Sequence, residues 1–175
     1  LVVSNGEIKA TVIVTLRDAF ANPVSGKAVN ISVTGEGNLI TQPADTTNAA
    51  GQAIGYLASR IAGLKHVSAR DMNNGIALRD SAAQILFKAA NAAAMTKAPG
   101  DNGDTQKRNV GTVLENPLKV LVTDRFGNPI KNVAVTFRTV TGGGSLVDNQ
   151  PVFTDSLGVG AAKYRLGSQA GANLI

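Results

Sequence analysis

The sequence contains no cysteine and no tryptophan, and only 4% of its residues are aromatic. Without Cys there is no disulfide framework, no thiolate nucleophile and no thiolate-ligated metal. His66 is the single histidine, and one imidazole does not make a His-based metal site. No apolar run approaches the ~20 residues a bilayer-spanning helix needs, so this segment is not expected to insert into a membrane. The net charge of +5 comes from 17 Lys and Arg spread thinly along the chain, the densest pair being Lys107-Arg108. No aromatic side chains interleave with that pair as a stacking platform for single strands would require, so nucleic acid is not an expected partner. Leu1 is not an initiator Met and no signal peptide is visible, which reads as a processed or excised piece of a longer chain.

What the chain does have is aliphatic bulk and glycine. Hydrophobic residues make up 43% of it, and there are 19 Gly, a balance that suits a turn-rich all-β protein with a Val, Ile, Leu and Ala core. It also repeats itself. Asp18-Ala-Phe-Ala-Asn-Pro23 recurs as Asp124-Arg-Phe-Gly-Asn-Pro129, an offset of 106, and Ala28-Val29 recurs as Ala134-Val135. Further on, Thr47 to Gly51 matches Thr154 to Gly158, and Gly63 matches Gly171. A repeat of this length is a domain rather than a solenoid unit. The predicted organisation is two domains, 1–90 and 91–175.

Within each copy the apolar residues alternate. Ile8, Ala10, Val12, Val14 and Leu16 form one inward row, and Val29, Ile31 and Val33 another. Ala53, Gly55 and Leu57 are matched by Gly160, Ala162 and Tyr164, while Val135 and Phe137 repeat the third strand. Val67, Ala69, Ile85 and Phe87 extend the pattern in the first copy. Turn signals separate these runs, among them Asn5-Gly6, Asn22-Pro23, Asn74-Gly75, Asn102-Gly103 and Gly142-Gly143-Gly144. Short strands at this spacing predict antiparallel β-sandwiches. The predicted core is Val14, Val29, Ile31 and Leu57 in the first copy, and Val122, Val135, Phe137 and Tyr164 in the second.

The Asp-to-Pro segment is a turn with a stated chemistry. Asp18 and Asp124 are placed to accept bonds from backbone N–H groups two residues on. Asn22 and Asn128 precede proline and are pushed out of the helical region. Pro23 and Pro129 fix φ as the next strand begins. Gly127 is expected at positive φ, which leaves Ala21, in the matching place, with a left-handed penalty. These residues shape a bend, and none of them needs a ligand.

The strings Asp124 to Ile130, Val133 to Phe137, Gly142 to Ser145 and Thr154 to Gly158 resemble the group-one bacterial Ig-like domain. Upstream, Gly103 to Gln106, Gly111-Thr112 and Asn116-Pro117-Leu118 resemble that family's opening strand. Such domains build the stalks of intimin- and invasin-type adhesins. The resemblance implies two tandem immunoglobulin-like sandwiches in a spacer role, on the surface of a bacterium or outside it, with neighbouring Ig-like domains as partners. It carries over no binding residue, because such adhesins recognise receptors through a distal tip domain. The first copy departs from the pattern at Ala21, where Gly is usual.

Other candidates read as structure. His66 lies in a strand and is expected to face solvent. Ser145 follows three glycines, but no helix N-terminus or Lys completes a phosphate cradle, so a hairpin loop is expected. Asp101 and Asp104 are the outside candidates for an interdomain Ca²⁺ site; no Glu closes the loop, and Asx turns are the expected role. Asp71 to Gly75 reads the same way. Asn30-Ile31-Ser32 matches the N-glycosylation pattern, a motif frequent by chance. The Ala-rich stretch 89–94 reads as a linker, too short for a stable helix. Nothing assembles a nucleophile, base and orienting group, and no cofactor is implied, so an enzyme is not expected.

The expected function is a structural spacer. The alternative is a module that binds polysaccharide or a host receptor, although Tyr56, Tyr164 and five Phe leave few aromatics to display. The copies are also cut differently. The first is expected to lack its opening strand and the second its closing strand, and exposed edges of this kind invite pairing with other copies.

Overall fold

The computed structural model describes residues 2–77 and 83–175, and its described residues are strands, turns and loops without a helix. The chain divides into two compact units, 1–90 and 91–175. Each is an antiparallel sandwich of the immunoglobulin type.

In the first unit, period-two alternation dictates the strands. β1 (Val2–Val3) is followed by β2 (Ala10–Thr15), β3 (Val29–Val33), β4 (Asn38–Thr41), β5 (Gln52–Ser59), β6 (Gly63–Asp71) and β7 (Ala83–Lys88). One sheet runs β1-β7-β6-β3 and the other β2-β5-β4. All pairings are antiparallel except β1 beside β7. The register sets Val14 opposite Ala53 and Ile31 opposite Ala69, so each row keeps its apolar face inward. The two inner faces close over Val12, Val14, Leu16, Val29, Ile31, Ala53, Leu57, Val67, Ala69 and Phe87. Gly55 is required there: a Cβ on it would lie 2.6 Å from Ile31 Cδ1 and 2.8 Å from the Thr41 carbonyl oxygen.

Two first-unit expectations need correction. Ile8 is not part of the inward row: β2 starts at Ala10, and Ile8 sits half-exposed in a turn where its N–H bonds to Asn5 Oδ1. The unit also has a short strand ahead of β2, namely β1. Ile85 and Phe87 lie in β7 as the alternation predicts, and 78–82 ahead of them lie outside the described residues.

In the second unit β8 (Ala94–Lys97), β9 (Leu118–Thr123) and β13 (Val159–Ala162) form one sheet with β9 central. Two smaller pairs, β10 (Ala134–Val135) with β12 (Val152–Phe153) and β11 (Ser145–Leu146) with β14 (Tyr164–Arg165), complete the framework. The opening strand is therefore β8, and 103–117, read as strand by resemblance, is mostly turns with one isolated bridge from Val113 to Arg165. Val122, Val135, Ala162 and Tyr164 are buried. Among the described residues no strand follows β14.

Phe137 is the clearest departure: it is half-buried rather than core. Its counterpart Ile31 is sealed by β6, where it faces Ala69. The stretch matching β6 begins at Gly171, and within it Leu174 only bridges to Thr141. No strand among the described residues lies opposite Phe137.

Candidate functional site

The Asp-to-Pro turns are polar constellations repeated in both units. In the first unit Asp18 Oδ1 accepts from the N–H groups of Phe20 and Asn22, both at 2.9 Å, and Oδ2 accepts from Asn22 Nδ2 at 3.0 Å. The backbone closes the loop through Asp18 N–H to the Asn22 carbonyl at 2.9 Å. In the second unit Asp124 makes the same three contacts, to Phe126 N, Asn128 N and Asn128 Nδ2, at 2.8, 3.0 and 2.8 Å. Arg17 bridges to Pro23 and Thr123 to Pro129, so each proline starts beyond a pinned corner. Gly127 has φ 82° and Ala21 has φ 65°. The left-handed residue is needed because its N–H must turn back onto the Asp carbonyl, 3.1 Å away in both copies.

The environments of the two turns differ. Asp124 and Asn128 are buried, whereas Asp18, Asn22 and Ala21 are exposed. Phe126 is half-covered with the Arg125 guanidinium 4.7 Å from its ring centre, while Phe20 is 85% exposed. The Asn22 side-chain amide, then its backbone N–H, hold the Asp18 carboxyl below the usual range for an aspartate, with burial opposing slightly and the Phe20 N–H helping.

The structure also places polar anchors that the sequence reading did not single out. Thr47 Oγ1 donates to the Val24 carbonyl at 2.7 Å and accepts from Lys27 N–H at 3.0 Å. Thr154 repeats this with Ile130 and Val133, at 2.6 and 2.9 Å. Both threonines are buried. Gln42 clasps the backbone of Ile31 through both ends of its amide at 2.7 Å, and Gln150 accepts from Phe137 N–H at 3.0 Å. Their recurrence as Gln-Pro and as Thr at matching repeat positions is the signal that would have found them. Asn48 and Asp155 build a second pair of turns like those of Asp18 and Asp124, each accepting from N–H groups two and four residues on.

The remaining candidates are placed as follows. Asp101 Oδ1 accepts from Gly103 N–H at 3.1 Å, and Asp104 pairs with Lys97, whose ammonium holds the Asp104 carboxyl below the usual range. Among the described residues no group of three or more His, Asp or Glu side chains comes together that could hold a metal. His66 is exposed on β6, and Asn30 is exposed on β3. Ser145 opens β11 after the Gly142–Gly144 loop, which packs so tightly on Tyr164 that a Cβ on Gly144 would lie 2.4 Å from its Oη. A depression of about 620 Å³ is lined by Leu121, Pro129, Leu157 and Val159 together with Asp101 and Asp155. The Asp155 carboxylate in it is occupied by the Leu157 and Val159 N–H groups.

Pinned Asx corners and aliphatic inner faces, repeated in two successive units, define a tandem immunoglobulin-like chain. Residues 1–88 match the family of the bacterial Ig-like domain (group 1), and the chain belongs to that family. It is 30% identical over 158 residues to the inverse autotransporter adhesin YeeJ of Escherichia coli (strain K12); the match covers 85% of this chain and 6% of that protein. Among solved structures it is similar to the Escherichia coli adhesin FdeC, with TM-score 0.54 and 24% identity over 97% of this chain and 54% of that one. Invasin, a bacterial integrin-binding protein, gives TM-score 0.57 at 17% identity, covering 96% and 32%. These structural likenesses are likenesses of fold.

Proposed function

We propose that the chain is a spacer segment of a bacterial cell-surface adhesin, holding a separate binding domain away from the outer membrane, and that it has no catalytic role. The observation that carries the reading is the serial arrangement. β7 ends at Lys88 and β8 of the next unit begins at Ala94, so few residues are left for a flexible hinge. The family membership and the adhesin relative support it, as does the commitment of the Asp18 and Asp124 carboxylates to backbone. The turns then serve to stiffen the corners between sheets. The test is a swap in the parent adhesin. Replacing residues 1–175 with two unrelated Ig-like units should preserve cell attachment, and loss of attachment would overturn the spacer reading.

A second reading, a module for polysaccharide or a host receptor, is favoured by the exposed rings of Phe20 and Phe153. A glycan array and a pull-down with the isolated chain decide it, since a spacer gives no saturable signal. Pairing with other copies is a further part of the proposal. Among the described residues β2 is paired on one side only, with β5, and a strand edge of that kind accepts another strand. Concentration-dependent oligomers in light scattering are the expected result, and a monodisperse monomer would refute pairing.

A further inference from the structure

The sequence holds three Asn-Gly steps: Asn5-Gly6, Asn74-Gly75 and Asn102-Gly103. An Asn-Gly step has its own chemistry. The glycine backbone nitrogen attacks the asparagine Cγ, an N–C bond forms, and the side-chain nitrogen leaves as ammonia. Water then opens the cyclic imide at either carbonyl, giving Asp or isoaspartate, the latter with an extra methylene in the backbone. No oxidant or cofactor takes part. The reaction needs a glycine nitrogen not engaged as a donor, a Cγ free to swing to it, and room around both.

Two of the steps are locked. Gly6 N–H donates to the Ser59 carbonyl at 3.0 Å, and Asn5 Oδ1 is held by the Glu7 and Ile8 N–H groups, both at 2.9 Å. Gly103 N–H donates to Asp101 Oδ1 at 3.1 Å. The Asn102 amide is clamped at both ends, by the Ala98 carbonyl and by Asp104 N–H, each at 3.1 Å. Gly103 is also crowded, since a Cβ on it would lie 2.1 Å from the Pro117 carbonyl oxygen.

Asn74-Gly75 comes nearest to these conditions. Both residues are exposed, and nothing lies within 4 Å of a Cβ built on Gly75. Among the described residues no acceptor holds the Gly75 N–H. Among the described residues the Asn74 amide is held at one end alone, by Nδ2 donating to Asp71 Oδ2 at 3.2 Å, whereas the Asn102 amide is held at both. The preceding Asn73 is tied down by Ala28 N–H, which donates to its Oδ1 at 2.8 Å, and it is followed by a bulkier residue than glycine.

We infer that Asn74 is a spontaneous deamidation site, and that its conversion loosens the turn between β6 and β7. The product sets a new carboxylate against Asp71, whose side chain is buried and loses the donor on Oδ2. Like charges at this separation repel, and a buried carboxylate without its donor is destabilised. The turn is closed by Asp71 N–H to the Ile76 carbonyl at 2.9 Å and by Arg70 Nε to the Gly75 carbonyl at 3.1 Å. The isoaspartyl methylene displaces both. The modification therefore marks chain age at one end of the first unit.

Trypsin separates the three steps into fragments 1–9, 71–79 and 98–107, ending at Lys9, Arg79 and Lys107. After incubation of the folded protein in mild alkali, mass spectrometry should find the 71–79 fragment converted several times faster than the other two. In urea the three rates should converge. Conversion of 1–9 or 98–107 first in the folded protein, or equal rates in all three, would overturn the assignment. Aged wild-type protein should also melt at lower temperature in its first unit, while Asn74→Gln protein aged alongside should not. An equal loss in both would reject the link to the turn.

Discussion

Replacing Ala21 with glycine should stabilise the first unit. Ala21 is exposed and has φ 65°, and an L-residue with a Cβ in the left-handed region costs about 1–2 kcal/mol. Its two backbone contacts survive the change: its N–H to the Asp18 carbonyl at 3.1 Å, and its carbonyl to Arg17 Nη1 at 2.8 Å. Against the relieved strain stands the greater freedom of glycine in the unfolded chain, about 0.4–1 kcal/mol. The net gain is about 0.5–1 kcal/mol. The second unit supplies the mirror experiment. Gly127 has φ 82° and nothing within 4 Å of an added Cβ, so Gly127→Ala carries the same strain without a clash and should destabilise by a similar amount. Differential scanning calorimetry reads both. For a domain of 60–100 residues 1 kcal/mol moves Tm by about 4–8 °C, so shifts of about 2–8 °C in opposite directions are expected. A lower Tm for Ala21→Gly, or a higher one for Gly127→Ala, would refute the strain argument.

Asp124→Ala should cost about 3 kcal/mol in urea melts, because it strands three donors in a buried corner, and Asp18→Ala should cost clearly less because water reaches its turn; equal costs would count against burial as the cause. Thr154→Val should cost about 2 kcal/mol by leaving the Ile130 carbonyl and the Val133 N–H without their partner, and a neutral result in the same melts would show that water replaces the hydroxyl. Phe87→Ala, at a side chain only 1% exposed, should cost about 3–5 kcal/mol, with half-buried Phe137→Ala nearer 1–2; the reverse order would undo the core assignment. The last concerns pH. The folded Asp18 carboxyl titrates below its unfolded value of about 3.9, so its contribution is fully present above that value and is lost as pH falls through the folded value. The stability difference between wild type and Asp18→Asn should hold near neutrality and shrink below about pH 4, and a difference constant into acid would contradict the linkage.

Much of this molecule is determined by local sequence. Alternation at Val12, Val14 and Leu16, at Val29 and Ile31, and at Ala53 and Leu57 dictates strands with one apolar face, because side chains on a strand point to opposite sides in turn. The Asp-to-Pro turns are equally local: each carboxylate meets donors two and four residues on, so the contact list of Asp124 follows from chain geometry at short range. Ala21 at positive φ follows from the repeat, because the bend that Gly127 makes must also be made in the first copy. Tertiary structure decided the rest. Whether an Asx corner is buried, as at Asp124, or wet, as at Asp18, depends on what packs over it. Phe137 has the same local pattern as Ile31 and is half-buried, because β6 lies opposite Ile31 and no strand among the described residues lies opposite Phe137. Gln42 reaches the backbone of Ile31 only across the sandwich, and Thr47 reaches Val24 only across two loops. The three Asn-Gly steps are alike as dipeptides: Gly103 is held by its neighbour Asp101, but Gly6 is held by Ser59, which only the closed fold brings near. Short-range geometry is written in adjacent residues, whereas coverage and long-range partners exist only once the sheets have closed on each other.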